Sequence, residues 1–164
     1  MFLGRRGVLD GALGFGVGLV MYLVVAFSVG LALTALFQLL SDQEVTTPDQ
    51  VPTHMTSGAK LLTVLVALVL APIVEELCFR GLIFRSVRDR HGFWKGALVS
   101  GLLFGVVHYV PFNPWQDTVL LQLIMVFTGI GLAWIYEWRG NLVANIAAHM
   151  AFNTIGIILI LFVQ

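Results

Sequence analysis

The side chains most able to do chemistry are two adjacent acids, Glu75 and Glu76, inside an otherwise apolar stretch. An ionisable residue at the centre of a spanning helix costs at least about 2.5–3.5 kcal/mol and usually marks a functional site. On a helix, Glu76 lies four residues before Arg80, the favourable order for an ion pair. Glu75 points about 100° away and has Phe79 four residues ahead. We therefore expect Arg80 to neutralise Glu76, while Glu75 meets another helix, water or a proton. The alternative is an ion cluster that only fixes helix packing.

Two histidines and an asparagine lie at matching depths in other apolar segments. His108 ends the sequence FGVVH, which begins at Phe104, and His149 begins HMAFN, which ends at Asn153. At 1.5 Å per residue, Glu75 and these three polar residues lie roughly 12–18 Å from the polar boundary on one side of the membrane. Three helices that alternate in direction would therefore bring the polar groups to one level.

This set of side chains suits hydrolysis. A carboxylate and an imidazole, here Glu75 and His108, can hold a water molecule and remove its proton. An imidazole and an amide four residues apart on one helix face, here His149 and Asn153, can donate hydrogen bonds to an oxyanion. The alternative is a zinc site, since Glu75, His108 and His149 offer the ligand types of a catalytic zinc ion. The HExxH pattern of one class of zinc proteases is absent, and residue types alone do not decide.

The composition is that of an integral membrane protein. Of 164 residues, 59% are hydrophobic and 11% are charged, whereas soluble domains carry about 25% charged residues. The formal net charge is zero, so the expected partner is the lipid bilayer and no nucleic acid is indicated. The single cysteine, Cys78, excludes an intrachain disulfide, and its apolar neighbours predict a buried, inert thiol.

Apolar segments predict an all-α, polytopic bundle of about five membrane-spanning helices in a single domain, residues 1–164. The segments cover residues 11–40, 60–84, 96–109, 118–136 and 142–163. The cations collect in the segments that would share a side with the N-terminus, which predicts an N-in, C-out orientation. Two GxxxG spacings, Gly14 with Gly18 and Gly101 with Gly105, predict close helix contacts.

Pro72 lies one helical turn before the acidic pair. A proline inside a helix lacks the N–H that would bond to the carbonyl four residues earlier, here that of Leu68. We therefore expect a kink or a local opening of the helix at this point.

The fourth apolar segment carries two further patterns. Small or flexible residues would either line a water path to Glu75 or serve as close-packing positions: Met125, Thr128, Gly129 and Gly131. Aromatic residues near its C-terminal end predict a belt at the membrane interface: Trp134, Tyr136 and Trp138.

The ordered motifs resemble those of the CPBP intramembrane peptidases, the CAAX-protease and bacteriocin-processing family, also called Abi. The EExxxR, FxxxH and HxxxN/D motifs of that family correspond to EELCFR at Glu75–Arg80, FGVVH at Phe104–His108 and HMAFN at His149–Asn153. The resemblance implies a multi-helix bundle with its site inside the membrane. It also implies that Glu75 activates water with help from His108, while His149 and Asn153 stabilise the tetrahedral intermediate. Supporting roles fall to Glu76, Arg80 and Phe104.

The expected function is therefore endoproteolysis of a membrane-associated peptide or protein in a prokaryotic cytoplasmic membrane. The family has been described both as metallopeptidases and as glutamate-type peptidases, and Asn153 favours the glutamate type without a metal cofactor. The chain is shorter than the prenyl-protein processing members, so a leader peptide, a bacteriocin or a C-terminal membrane anchor is the expected substrate. A non-catalytic, immunity-type or binding protein that keeps the motifs for packing is the alternative. A proton-relay protein is a third interpretation, against which the lack of internal repeats argues.

Overall fold

The computed structural model describes residues 5–40, 45, 56–111 and 113–162, and all regular structure in these ranges is helical. Residue 163 of the fifth predicted segment lies outside them. We number five consecutive helices: α1 (residues 5–40), α2 (Ser57–His91), α3 (Phe93–Val107), α4 (Trp115–Arg139) and α5 (Leu142–Phe162). Three π-helical stretches interrupt the α-helical hydrogen bonding, one in α1 and two in α2: Tyr22–Val29, Val66–Leu70 and Leu77–Phe84.

Four of these helices, α1, α2, α4 and α5, are long and apolar enough to cross a membrane. The predicted polytopic helix bundle is thus confirmed over the described ranges. Helix α3 is also apolar but has only 15 residues, or about 22 Å at 1.5 Å per residue, against a hydrocarbon core of about 30 Å. The third predicted segment is therefore shorter than a full crossing, and the N-in orientation stays a prediction.

Local residues explain where the helices begin and end. The Thr56 hydroxyl accepts a hydrogen bond from the Ala59 N–H at the start of α2, and the Asn141 side chain caps the start of α5 in the same way. Helices α2 and α4 end at Gly92 and Gly140, whose φ angles of 85° and 65° suit glycine. The turn at Gly92 lets α3 fold back beside the end of α2.

Helix α1 packs lengthwise on α5 through Gly14 and Gly18. A methyl group at Gly14 would overlap the backbone of Ala144, and one at Gly18 would overlap the backbone of Ala148. Small residues on both helices let the two backbones approach closely, as in GxxxG contacts of other membrane helices. This contact confirms the first GxxxG prediction.

Valine at Gly14 or Gly18 should push α1 away from α5, because the new side chain meets backbone atoms that cannot move aside alone. We expect a loss of about 1–3 kcal/mol or more in the free energy of unfolding, measured as a lower thermal unfolding midpoint in detergent. Gly16→Val is the matched control, since nothing lies within 4 Å of a Cβ placed there. An equal loss at Gly16 would trace the effect to helix propensity instead.

The second GxxxG pair, Gly101 and Gly105, joins α3 to α4. A Cβ at Gly105 would lie 2.6 Å from the Gln122 carbonyl oxygen, and one at Gly101 would lie 3.0 Å from that of Val126. Gly129 faces this contact from α4, where a Cβ would lie 2.8 Å from the Cα of Gly101. The second GxxxG prediction is therefore also confirmed.

Two predictions are wrong: the place of Tyr136 in an interfacial belt and the burial of Cys78. Tyr136 is buried, and its ring lies 5.8 Å from that of Phe84, so it does not join the interfacial belt. Trp134 and Trp138, four residues apart, share the exposed face and stack at 5.8 Å, whereas Tyr136 lies about 200° round the helix from Trp134. Cys78 is exposed on the surface of the bundle.

Candidate active site

A buried ion pair joins α2 to its neighbours. The side chains of Glu76 and Arg80 are both 0% exposed, and Arg80 Nη1 donates to Glu76 Oε1 at 2.9 Å. Arg80 Nη2 donates to the Gly129 carbonyl on α4 at 2.8 Å, and the guanidinium carbon lies 4.7 Å from the centroid of the Phe104 ring on α3. The predicted pairing of Glu76 with Arg80 is confirmed, and the pair also ties α2 to both helices.

Glu76 has two further partners, both on α5. Asn145 Nδ2 donates to Glu76 Oε2, and His149 Nδ1 lies 2.9 Å from Glu76 Oε1. Because a carboxylate paired with arginine accepts hydrogen bonds, His149 carries a proton on Nδ1. Asn145 is not among the site residues predicted from the sequence. The spacing of polar residues could have identified it, because Asn145, His149 and Asn153 recur every four residues in an apolar helix and so share one face.

Glu75 has a different environment from Glu76. Its side chain is 26% exposed, and its Oε2 atom lies 3.7 Å from His149 Nε2, which is too far for a hydrogen bond. Within the described part of the chain, Glu75 Oε2 has no hydrogen-bond partner. The Glu75 carboxylate therefore lies close to an imidazole without a hydrogen bond to it.

Glu75 lines a pocket of about 240 Å³ between the helices. His108 from α3 and both His149 and Asn153 from α5 line the same pocket, so the structure brings these four side chains together. Phe104 forms part of the wall, with its ring centroid 4.6 Å from that of His108 and 5.7 Å from that of His149. The Phe104 ring therefore packs against both imidazoles.

The four candidate lining residues of α4 divide into two pairs. Met125 and Thr128 line the pocket. Gly129 instead packs against α3, and a Cβ at Gly131 would lie 2.8 Å from the sulfur of Met21. The two glycines are thus close-packing positions.

His108 lies at the C-terminal end of α3, where its Nδ1 atom is 2.7 Å from the Phe104 carbonyl oxygen. A carbonyl can only accept, so Nδ1 of His108 carries the proton. Neutral His108 therefore keeps a free lone pair on Nε2. Both histidines of the pocket have Nδ1 fixed by a neighbour, which leaves Nε2 of each ring for chemistry.

Asn153 donates from Nδ2 to the Ala67 carbonyl of α2 at 2.9 Å. An amide nitrogen carries two hydrogens, so one of them remains for a ligand in the pocket.

A metal ion needs three or more protein ligands that converge on one point. Among the described residues, no three His, Cys, Asp or Glu side chains converge closely enough to hold one. The alternative ligands Glu75, His108 and His149 all line the pocket, but they do not converge on one point in this structure.

Comparison of the sequence with known proteins identifies a family to which the chain is similar. The family model described as "Type II CAAX prenyl endopeptidase Rce1-like" matches residues 57–155, which contain all three motifs. The chain is 29% identical over 100 residues to "Putative membrane peptidase YdiL" of Bacillus subtilis (strain 168), covering 60% of this chain and 37% of that protein.

Two other relatives have less informative names. The "Uncharacterized 24.3 kDa protein" of Escherichia coli is 33% identical over 101 residues, covering 60% of this chain and 44% of the relative. The "UPF0177 protein YxdF" of Lactococcus lactis subsp. lactis (strain IL1403) is 32% identical over 88 residues, covering 54% and 44%. The match spans less than half the length of each of the three relatives. No solved structure matches the chain.

Proposed function

Because the chain belongs to the Rce1-like family of membrane peptidases, we propose that it is a glutamate-type intramembrane endopeptidase. Its substrate is a membrane-associated peptide or protein, and Glu75 is the base. One observation carries the assignment: Glu75 places an unpartnered carboxylate oxygen 3.7 Å from the Nε2 atom of His149, in a pocket that His108 also lines. A carboxylate used only for packing would be engaged, as that of Glu76 is.

The reaction begins with a water molecule beside Glu75 and His108. Glu75 takes a proton from this water, and the water oxygen forms a bond to the scissile carbonyl carbon while the carbonyl electrons move onto its oxygen. His149 Nε2–H and the second amide hydrogen of Asn153 donate to that oxyanion. The carbon–nitrogen bond then breaks, and the proton passes from Glu75 to the leaving amine.

The oxyanion role requires a proton on Nε2 of His149 as well as on Nδ1. Two acids, Glu75 and Glu76, lie beside this imidazole, and Arg80 supplies one positive charge to the cluster. These neighbouring carboxylates are the groups that would stabilise the positive charge of a doubly protonated ring.

The substrate class follows from the location of the pocket. Glu75 lies on a helix long and apolar enough to cross the membrane, so the scissile bond must reach it from within or beside the bilayer. A leader peptide, a bacteriocin or a C-terminal membrane anchor in a prokaryotic cytoplasmic membrane meets this requirement. Incubation of the purified protein with a library of membrane-anchored peptides, read by mass spectrometry, tests for cleavage.

We expect cleavage to survive exhaustive chelation, because the carboxylate and imidazoles of the pocket are sufficient to activate water. Rates before and after chelation are to be compared alongside metal analysis of the same sample. Loss of activity that added zinc restores would favour the metallopeptidase alternative, with Glu75, His108 and His149 as ligands.

A further inference from the structure

The π-helical turn Val66–Leu70 leaves one carbonyl of α2 without a donor in its own helix. In a π-helix, each N–H bonds to the carbonyl five residues earlier, and the Ala71 N–H bonds to the Val66 carbonyl in this way. The next carbonyl, that of Ala67, would pair with residue 72, which is proline and has no N–H. In the α-helical register that the sequence predicts, the carbonyl without a donor would instead be that of Leu68.

Asn153 supplies the missing donor from another helix. Its Nδ2 atom lies 2.9 Å from the Ala67 carbonyl oxygen, and Pro72 is less than 2% exposed. An unpaired backbone carbonyl in an apolar bundle is costly, so this bond stabilises the π-helical turn. Ala67, Ala71 and Glu75 follow one another every four residues along the wall of the pocket. The turn therefore lies two helical turns from Glu75, on the same face of α2.

We propose that Asn153 is a positioning residue whose amide replaces the N–H that Pro72 lacks, and that this bond sets the rotation of α2. A π-helical turn holds one more residue than an α-helical turn. Its relaxation would rotate the following residues by up to about 100° and carry Glu75 away from His149. One amide hydrogen of Asn153 thus orients the base, while the other remains for the oxyanion. The claim about Glu75 rests on the proposed function, but the bond itself does not.

The bond is tested by a mutant cycle of Pro72→Ala, Asn153→Ala and the double variant, measured as thermal unfolding midpoints in detergent. Asn153→Ala leaves the Ala67 carbonyl unpaired, and we expect a midpoint about 3–8 °C lower. Pro72→Ala lets the turn relax to an α-helix, in which the Ala71 N–H bonds to the Ala67 carbonyl, so the double variant should melt within about 2 °C of Pro72→Ala alone. Additive losses would overturn the proposal.

Cleavage kinetics test the positioning. Pro72 contacts no reacting atom in the proposed mechanism, yet Pro72→Ala frees the turn to relax. We expect kcat to fall about tenfold or more with an unchanged KM, measured at a temperature at which the variant is still fully folded. Pro114→Ala, at the start of α4, is the matched control and should keep its kcat. An unchanged kcat in Pro72→Ala would refute the positioning role.

The two proposals fail separately. Additive midpoints together with a cleavage reaction that needs Glu75 would remove the Asn153 bond and keep the peptidase mechanism. Coupled midpoints in a protein that cleaves no peptide would keep the bond and remove the mechanism.

Discussion

Glu75→Gln is expected to abolish peptide cleavage and to leave the fold intact. Glutamine cannot take a proton from water, and loss of a general base typically costs about 10²–10⁴-fold in rate. The fold should survive, because Glu75 Oε2 has no hydrogen-bond partner among the described residues and the side chain is 26% exposed. Cleavage of membrane-anchored peptides and the thermal unfolding midpoint, measured on the same sample, separate the two effects.

Glu137→Gln is the matched control for this change. Glu137 is 38% exposed and pairs with Arg88 on the surface of the bundle, so its loss should alter neither cleavage nor stability measurably. If Glu75→Gln unfolds the protein, the two acids serve packing, as in the non-catalytic, immunity-type alternative. If Glu75→Gln still cleaves at the normal rate, Glu75 is not the base.

Arg80→Met is expected to lower the free energy of unfolding by about 3–5 kcal/mol, the usual cost of removing one partner from a buried ion pair. The Glu76 carboxylate would remain fully buried with Asn145 and His149 as partners and no arginine. The Gly129 carbonyl would also lose its donor. Denaturant unfolding in mixed micelles, followed by circular dichroism, measures the loss.

Arg85→Met makes the same chemical change on the same helix. The Arg85 side chain is 62% exposed, and its nearest acid, Asp89, is 3.9 Å away. Its removal should change the stability by less than about 0.5 kcal/mol. Equal losses at Arg80 and Arg85 would mean that the buried pair contributes no more than an exposed arginine.

The side chains of the candidate site could be selected from the sequence because a membrane leaves few uses for polar residues. In a chain with 11% charged residues, each acid, histidine or amide inside an apolar segment needs a reason. The bond from Arg80 to Glu76 was also predictable, since both partners lie on one helix and their spacing alone brings them together.

Contacts between helices could not be predicted in this way, because they depend on how each helix is rotated. The bonds from Asn145 to Glu76 and from Arg80 to the Gly129 carbonyl both require the rotation of α2 relative to α4 or α5. The predicted burial of Cys78 is wrong for a related reason. Its apolar neighbours do not reveal which helix face meets lipid, since lipid and a protein core are equally apolar.

The hydrogen-bond register of the backbone near Pro72 also could not be predicted from the sequence. An α-helical and a π-helical turn differ by one residue, and no residue type in Val66–Leu70 distinguishes them. The affected carbonyl, that of Ala67 rather than of Leu68, is evident only from the three-dimensional structure.

The short helix α3 has a consequence for the lipid around it. With 15 residues, α3 is several ångströms shorter than the hydrocarbon core of a bilayer. A bilayer can accommodate such a mismatch by becoming thinner beside the protein. Because His108 directly follows the last residue of α3, a thinned leaflet would bring hydrated headgroups down towards its imidazole. The membrane itself would then supply the water that the proposed reaction consumes.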